Sequence, residues 1–124
     1  MYKRQSQWYK ININNLQANL LLPILQNLVQ NALESGSNTK VFLQLEKAED
    51  EIAFLVADNG PGVHESIKGD LFSPTRSDKE QGSGLGLAIC KQLAEQMNGR
   101  ILLRSSTAKG STFCVKIKPA EDLL

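Results

Sequence analysis

The strongest constraint on this chain is the order in which its hydrophobic period changes. Two stretches repeat apolar residues at the 3.6-residue period of a helix, and the stretches around them alternate as strands do. Leu20 to Glu34 sets Ile24, Leu25, Leu28, Val29, Ala32 and Leu33 at helical spacing, and Gly36 ends the run. Proline is tolerated only near a helix start, so the regular part is expected to begin around Pro23. Leu85 to Met97 is the second helix, with Leu87, Ala88, Ile89, Leu93 and Met97 inward and Asn98-Gly99 as the stop. Strands are expected at Trp8–Ile13 (broken by Asn14 and Asn15), Val41–Lys47, Glu51–Ala57, Ile101–Ser105 and Ser111–Ile117. Turns fall at Ala48-Glu49-Asp50 and Ala108-Lys109-Gly110. The order strand, helix, two strands, loop, helix, two strands is not a βαβ alternation. It predicts an α+β domain, with helices on one face of a sheet of about five strands.

Between the two halves, Val63 to Gln81 is polar and poorly periodic, with Leu71-Phe72 its only strong apolar anchor. It reads as a long loop with one short helix, and long loops in compact domains usually serve as lids. The length of 124 residues fits one domain over residues 1–124. Fourteen Lys plus Arg against 13 Asp plus Glu give a net charge of +1. No overall charge draws the chain to nucleic acid or a membrane, so any anion site must be local. No apolar run is long enough to span a bilayer, and no signal core follows Met1-Tyr2-Lys3-Arg4-Gln5. A cytoplasmic domain is expected, with any membrane anchor of a parent protein outside these residues. Cys90 and Cys114 form neither a CxxC pair nor a disulfide framework, and read as buried thiols in a reducing compartment.

Three segments carry candidate chemistry. The run Gly82-Ser83-Gly84-Leu85-Gly86-Leu87 stands directly before the second helix. Glycines let the backbone approach a ligand, and free N–H groups at a helix N-terminus suit an anion such as a polyphosphate. The run is not a P-loop, because no Gly-Lys-Ser/Thr follows, nor a dinucleotide fingerprint, because Leu87 takes the third glycine position. A flexible hinge is its plain alternative. Asp58-Asn59-Gly60-Pro61-Gly62 closes a strand. A carboxylate there can accept a hydrogen bond from an exocyclic amine such as adenine's, and the glycines would let a flat base lie on the backbone. A type I′ hairpin turn is the alternative, though no alternating strand follows Gly62. Asn27 and Asn31 are four apart and share a helix face. An amide oxygen can bind Mg²⁺ without adding negative charge beside a triphosphate. A surface pair of asparagines is the alternative.

Taken together and in this order, these segments resemble the histidine kinase branch of the Bergerat-fold ATPases, the superfamily that includes gyrase and the mismatch-repair ATPases. Asn27-Leu28-Val29-Gln30-Asn31-Ala32 resembles the N box, and Asp58-Asn59-Gly60-Pro61-Gly62 the first glycine box. Leu71-Phe72-Ser73-Pro74 resembles the opening of the F box, and Gly82-Ser83-Gly84-Leu85-Gly86-Leu87-Ala88-Ile89 the second glycine box. Gly110-Ser111-Thr112-Phe113 resembles the closing strand motif. The likeness runs from about Leu20 to Ile117. It implies a two-layer α/β sandwich: a mixed, mainly antiparallel sheet of about five strands, about three helices on one face, and an ATP lid at about 63–82.

The resemblance also implies roles. Asp58 would bind the adenine amino group, with Thr112 supporting that end and Gly60 and Gly62 shaping the pocket. Asn31 would bind Mg²⁺, with Asn27 supporting metal and phosphates. Gly82, Ser83, Gly84, Leu85 and Gly86 would face the phosphates, and Phe72 would latch the lid. Arg76 and Lys79 could neutralise charge on the transferring phosphate, or be solvated lid charges. The family often has a second Phe after the F-box proline, where Thr75 stands, and Pro23 is unusual in the first helix.

Gyrase-like members carry a Glu four residues before the metal Asn as a base for water; here that position is Asn27. An amide cannot take a proton at neutral pH, so transfer to an imidazole is expected over hydrolysis. The sole histidine, His64, lies in the lid region without the helical setting of a phosphoacceptor. The resemblance therefore implies three outside partners or substrates: Mg-ATP, a helical phosphoacceptor and dimerisation domain of the same parent protein, and the receiver domain of a response regulator. The isolated domain is expected to be a monomer. A serine/threonine kinase of anti-sigma type, or a non-catalytic nucleotide-binding module, are the alternatives.

Overall fold

The structure is a computed structural model that describes residues 10–36, 38–73 and 86–120. Helix α1 (Asn15–Leu33) is followed by strands β1 (Val41–Lys47) and β2 (Ile52–Asp58), a 3-10 helix (Glu65–Asp70), helix α2 (Leu87–Gln96), and strands β3 (Arg100–Thr107) and β4 (Gly110–Ile117). The four strands form one sheet in the order β1-β2-β4-β3, antiparallel at every pairing. Two tight hairpins account for the outer pairs: Ala48 N–H donates to Glu51 O at 2.8 Å, and Lys109 N–H to Thr107 Oγ1 at 3.0 Å.

Both α-helices lie on one sheet face, as the α+β pattern requires. The core joins Leu21, Ile24, Leu28 and Ala32 of α1 to Cys90 and Ala94 of α2. Below them the sheet contributes Ile52, Val56, Ile101, Val115 and Ile117. Among the described residues the opposite face carries a small cluster of Ala53, Leu55, Cys114 and Leu102. This follows from strand alternation: in β2, Ile52 and Val56 point to the helices while Ala53 and Leu55 point away.

Three expectations need correction. The sheet holds four described strands, not about five: Lys10–Ile13 is irregular, while Trp8 and Tyr9 lie outside the described residues. Ile11 and Ile13 still pack on the core, and Asn12 O accepts from Ala120 N–H at 2.7 Å, but no ladder forms. Second, α1 starts at Asn15 rather than near Pro23. Asn14 and Asn15 are not a mere break: Asn14 Oδ1 accepts from Gln17 N–H at 2.8 Å, and Gln17 Oε1 accepts from Asn14 N–H at 3.0 Å. That reciprocal capping box launches the helix. Gln17 Nε2 also donates to Lys118 O at 2.7 Å, tying the helix start to the end of β4. Pro23 sits inside α1, where it removes the partner of the Asn19 carbonyl. Asn19 is exposed, so water can take that role.

Third, Ile89 is not on the inner face of α2; it is 42% exposed. The buried stripe is instead Cys90, Ala94 and Met97, spaced i, i+4, i+7. The helical content among the described residues agrees with expectation: two α-helices and one short 3-10 helix, Glu65–Asp70, within the 63–81 loop. The stop after α2 is as expected: Asn98 takes the left-handed conformation at φ 58°, and Gly99 N–H donates to Ala94 O at 2.8 Å.

Candidate nucleotide-binding site

Asp58 is the last residue of β2, half-buried, and paired in register with Ser111 of β4. Its Oδ1 accepts from Gly60 N–H at 2.8 Å, an Asx turn that fixes the carboxylate at the strand end. Asn59 anchors the same corner, its Oδ1 accepting from Lys40 N–H at 2.7 Å. Among the described residues only one carboxylate oxygen of Asp58 is engaged, which leaves the second able to accept from a ligand amine.

The backbone beside this carboxylate is built for close approach. Gly62 has φ +86°, and a Cβ there would sit 2.1 Å from Thr107 O. At Gly60 a Cβ would meet Ser35 Oγ at 2.5 Å and Asp58 Oδ1 at 3.1 Å. Gly110, at φ +146°, would drive a Cβ to 2.0 Å from Asp58 O. Val63 N–H donates to Ser106 Oγ at 2.7 Å, and Ser106 Oγ lies 3.3 Å from Ser111 Oγ. The loop after Gly62 is thereby tied to the β3–β4 hairpin. Thr112 is half-buried on β4, opposite Ala57. Asp58, Gly60 and Gly62 therefore converge at one end of the sheet, with Ser111 opposite Asp58 in register, whereas Thr112 falls on the other face, in line with Cys114.

The asparagine pair lies on α1. Asn31 is half-buried, whereas Asn27 is 4% exposed and donates from Nδ2 to Cys90 Sγ at 3.3 Å. Burial raises the Cys90 thiol above its ordinary value, and the Asn27 hydrogen bond opposes that only in part. Phe72 packs on the core and meets Phe113 edge to face, with ring centroids 6.2 Å apart, which suits a hydrophobic latch. Gly86 is the N-cap of α2, and its carbonyl accepts from Ile89 and Cys90 N–H at 3.1 and 3.2 Å. Arg76, Lys79, Gly82, Ser83, Gly84 and Leu85 lie outside the described residues.

The profile of histidine kinase-, DNA gyrase B-, and HSP90-like ATPases matches residues 17–121. The chain belongs to this ATPase family. Within the family it is similar to the C4-dicarboxylate transport sensor protein DctB of Rhizobium meliloti, 41% identical over 100 residues, covering 78% of this chain and 16% of DctB. The chain thus spans a small part of that relative's length. The catalytic domain of histidine kinase ThkA, in a nucleotide-free form, superposes with TM-score 0.71 at 34% identity, covering 81% of this chain and 66% of that one. Full-length ShkA in complex with AMPPNP gives TM-score 0.71 at 28% identity, covering 85% of this chain and 22% of ShkA. ThkA in complex with the response regulator protein TrrA matches with TM-score 0.63 at 31% identity over 79% of this chain and 28% of that one.

The candidate site includes residues that motif reading passed over. Ser35 closes on Gly60, Ser106 and Ser111 hold the loop, and Cys90 holds Asn27. Ser35 had a signal, since it continues the i, i+4 track of Asn27 and Asn31. The other contacts cross elements and leave no local trace.

Proposed function

We propose that this chain binds Mg-ATP and donates its γ-phosphoryl group to a histidine on a separate helical dimerisation domain, for onward passage to a response-regulator receiver domain. The observation that carries this reading is the Asp58 carboxylate, held at the strand end by Gly60 N–H beside glycines whose Cβ positions are already filled. That cradle has the chemistry to accept a purine amine and admit a flat ring. ShkA, solved with AMPPNP, and ThkA, solved with a response regulator, support the nucleotide and the receiver respectively.

In this reading Asp58 accepts from the adenine amino group. Gly82, Ser83, Gly84, Leu85 and Gly86 turn backbone N–H groups to the phosphates, where the α2 N-terminus adds its dipole. Phe72 latches the lid, and Arg76 and Lys79 offset charge on the moving phosphoryl group. The donor set fits a magnesium ion: Asn27 and Asn31 offer hard, neutral amide oxygens one helical turn apart on α1, and these with phosphate oxygens and waters suffice. Asn31 would hold it with Asn27 in support, and when bound it supplies charge neutralisation across the phosphate oxygens. The acceptor imidazole forms an N–P bond as the bond from the γ-phosphorus to its bridging oxygen breaks, and ADP departs. Asn27 has no basic atom to activate water, so hydrolysis stays slow.

Calorimetric titration with AMPPNP and Mg²⁺ tests the pocket. Hydrogen bonds to charged groups contribute about 1.5–3 kcal/mol, so Asp58→Ala should weaken binding by at least about tenfold, to the point of loss. Unchanged affinity in a folded Asp58→Ala chain would overturn the assignment. With acceptor helices and labelled ATP, label should appear on histidine.

A further inference from the structure

The two edges of the sheet are finished differently. β3 carries a register shift between Leu103 and Ser105 and two arginines, Arg100 and Arg104, features that discourage strand pairing. β1 pairs with β2 over seven residues without a shift and holds no proline or glycine. On its two faces Phe42 is exposed and Leu43 is 67% exposed. The direction of its backbone groups follows from the bonds at its ends. Lys40 N–H donates to Asn59 Oδ1 at 2.7 Å, Lys40 O accepts from Asn59 N–H at 3.3 Å, and Ala48 N–H donates to Glu51 O at 2.8 Å. Even-numbered residues therefore turn their backbone groups to β2, while Val41, Leu43 and Leu45 turn theirs outward. The helix beside this edge is apolar on the same side. Asn27 of α1 meets Cys90 of α2, and Leu21, Ile24 and Leu28 face the core. At 3.6 residues per turn, the flank opposite Asn27 carries Leu22, Leu25, Val29 and Leu33. α1 touches β1 and β2 whereas α2 touches β3, so that flank lies on the β1 side, where Leu22 and Leu33 are exposed.

We infer that a second copy of this chain docks on β1, edge to edge and antiparallel, about a two-fold axis at Leu43. The axis follows from the sequence of the strand. With Leu43 opposite its own copy, Val41 faces Leu45, Phe42 faces Gln44 and Lys40 faces Glu46, each twice. Aliphatic side chains then meet on the helix face, and two opposite-charge pairs form on the other. A centre at Gln44 would set Val41 against Lys47 and Phe42 against Glu46, and a centre at Phe42 would set Lys40 against Gln44. Both lose the ion pairs. Arg104 Nη1 already engages Glu46 Oε1 at 3.1 Å, which leaves Glu46 Oε2 for Lys40 of the second copy. The outward N–H and C=O groups of Val41, Leu43 and Leu45 supply the hydrogen bonds of the joint. The same axis stands perpendicular to the sheet, so it keeps all helices on one face and sets the two copies of α1 antiparallel. Their axes lie two to three strand spacings apart, about 10–14 Å. A helix with its side chains is about 10–12 Å across, so the Leu22, Leu25, Val29 and Leu33 flanks close over the Leu43 pair. One symmetry operation thus covers the open strand edge and the exposed leucines together. This interface stands apart from the nucleotide reading, and it departs from the monomer expected of the isolated domain.

Sedimentation equilibrium of the 124-residue chain tests the association. The average mass should rise with concentration toward that of two chains. Leu43→Lys should weaken the association about tenfold or more, because it sets two like charges side by side in the joint. Leu43 is exposed in the single chain, so the variant should fold as wild type does. Single-cysteine variants read the register. Cys90 and Cys114 are buried, so an added thiol on β1 is the accessible one. A hydrogen-bonded antiparallel pair sets its Cα atoms about 5.5 Å apart, within the roughly 4.4–6.8 Å that a disulfide spans. Under mild oxidation Leu43→Cys should therefore link two chains. Phe42→Cys and Gln44→Cys should not, since each lies diagonal to its own copy, about 7–8 Å away. A wild-type chain that stays monomeric up to about 1 mM overturns the inference. So does a Leu43→Lys chain that associates as wild type does, or linkage at Phe42→Cys or Gln44→Cys that equals or exceeds linkage at Leu43→Cys. Neither readout involves AMPPNP, so failure here leaves the nucleotide reading standing.

Discussion

Gly62→Ala puts the geometry of the proposed base pocket to its hardest test. Gly62 holds φ +86°, where an L-residue costs about 1–2 kcal/mol. Its added Cβ would lie 2.1 Å from Thr107 O and 3.1 Å from Ser106 Oγ. An ordinary C···O contact is about 3.3–3.6 Å, so the loop and the β3–β4 hairpin must part by more than about 1 Å. The Val63 N–H to Ser106 Oγ bond, 2.7 Å long, spans that gap and would break. Losing it adds about 0.5–1.5 kcal/mol. The sum is about 1.5–3.5 kcal/mol, or a melting temperature lower by roughly 5–14 °C for a domain of this size. Gly69→Ala is the matched control, because nothing lies within 4 Å of its Cβ and its φ is not positive. It should melt at or slightly above wild type, by at most about 1 kcal/mol of added stability. Differential scanning calorimetry reads both. A Gly62→Ala chain that melts within about 2 °C of wild type would refute the steric reasoning, and with it the claim that this turn is fixed by backbone contact.

Two further outcomes follow from the core. Ile24 is fully buried among α1, α2 and the sheet, so Ile24→Ala should cost about 2–5 kcal/mol in urea unfolding, while Leu22→Ala, 63% exposed, should stay within about 0.5 kcal/mol. Burial raises the thiols of Cys90 and Cys114 above the ordinary value of 9.0. Their contribution to stability is therefore complete below pH 9.0 and is lost as pH rises through the folded-state values. Urea midpoints measured from pH 7 to 10.5 should fall only at the alkaline end, and a double Cys→Val chain should lose less there.

Some of this molecule could be read from local chemistry and some could not. The β1–β2 and β3–β4 hairpins were legible because strand alternation and turn residues are short-range signals. Val41–Lys47 is found as expected, and the second strand ends one residue later, at Asp58. The glycine turn after Asp58 was legible for the same reason: φ +86° at Gly62 is a property of that residue's own backbone. The start of α1 was misplaced because Asn14 and Asn15 serve equally as strand breakers and as helix caps. Only Gln17, three residues after Asn14, separates the two uses. The inward face of α2 was misphased because Ile89 is more apolar than Cys90, yet Cys90 packs at the helix contact. The residues behind the site, Ser106 and Cys90, are distant in sequence from what they hold, and no spacing rule reaches them.

The nature of position 27 joins packing to chemistry. Its side chain is almost wholly buried against a neutral thiol, within an apolar contact between two helices. A neutral amide can stay there because Cys90 satisfies its donor edge. A glutamate at the same place would bring a longer, charged side chain into that contact, and Cys90 offers a carboxylate only one weak donor. The burial that accommodates a neutral amide is thus the burial that disfavours a base for water. In the proposed function, holding the nucleotide without hydrolysing it would then follow from how α1 sits on α2 as much as from which residue occupies one position. In that proposal the acceptor would bring its own nucleophile, as a neutral imidazole does near pH 7.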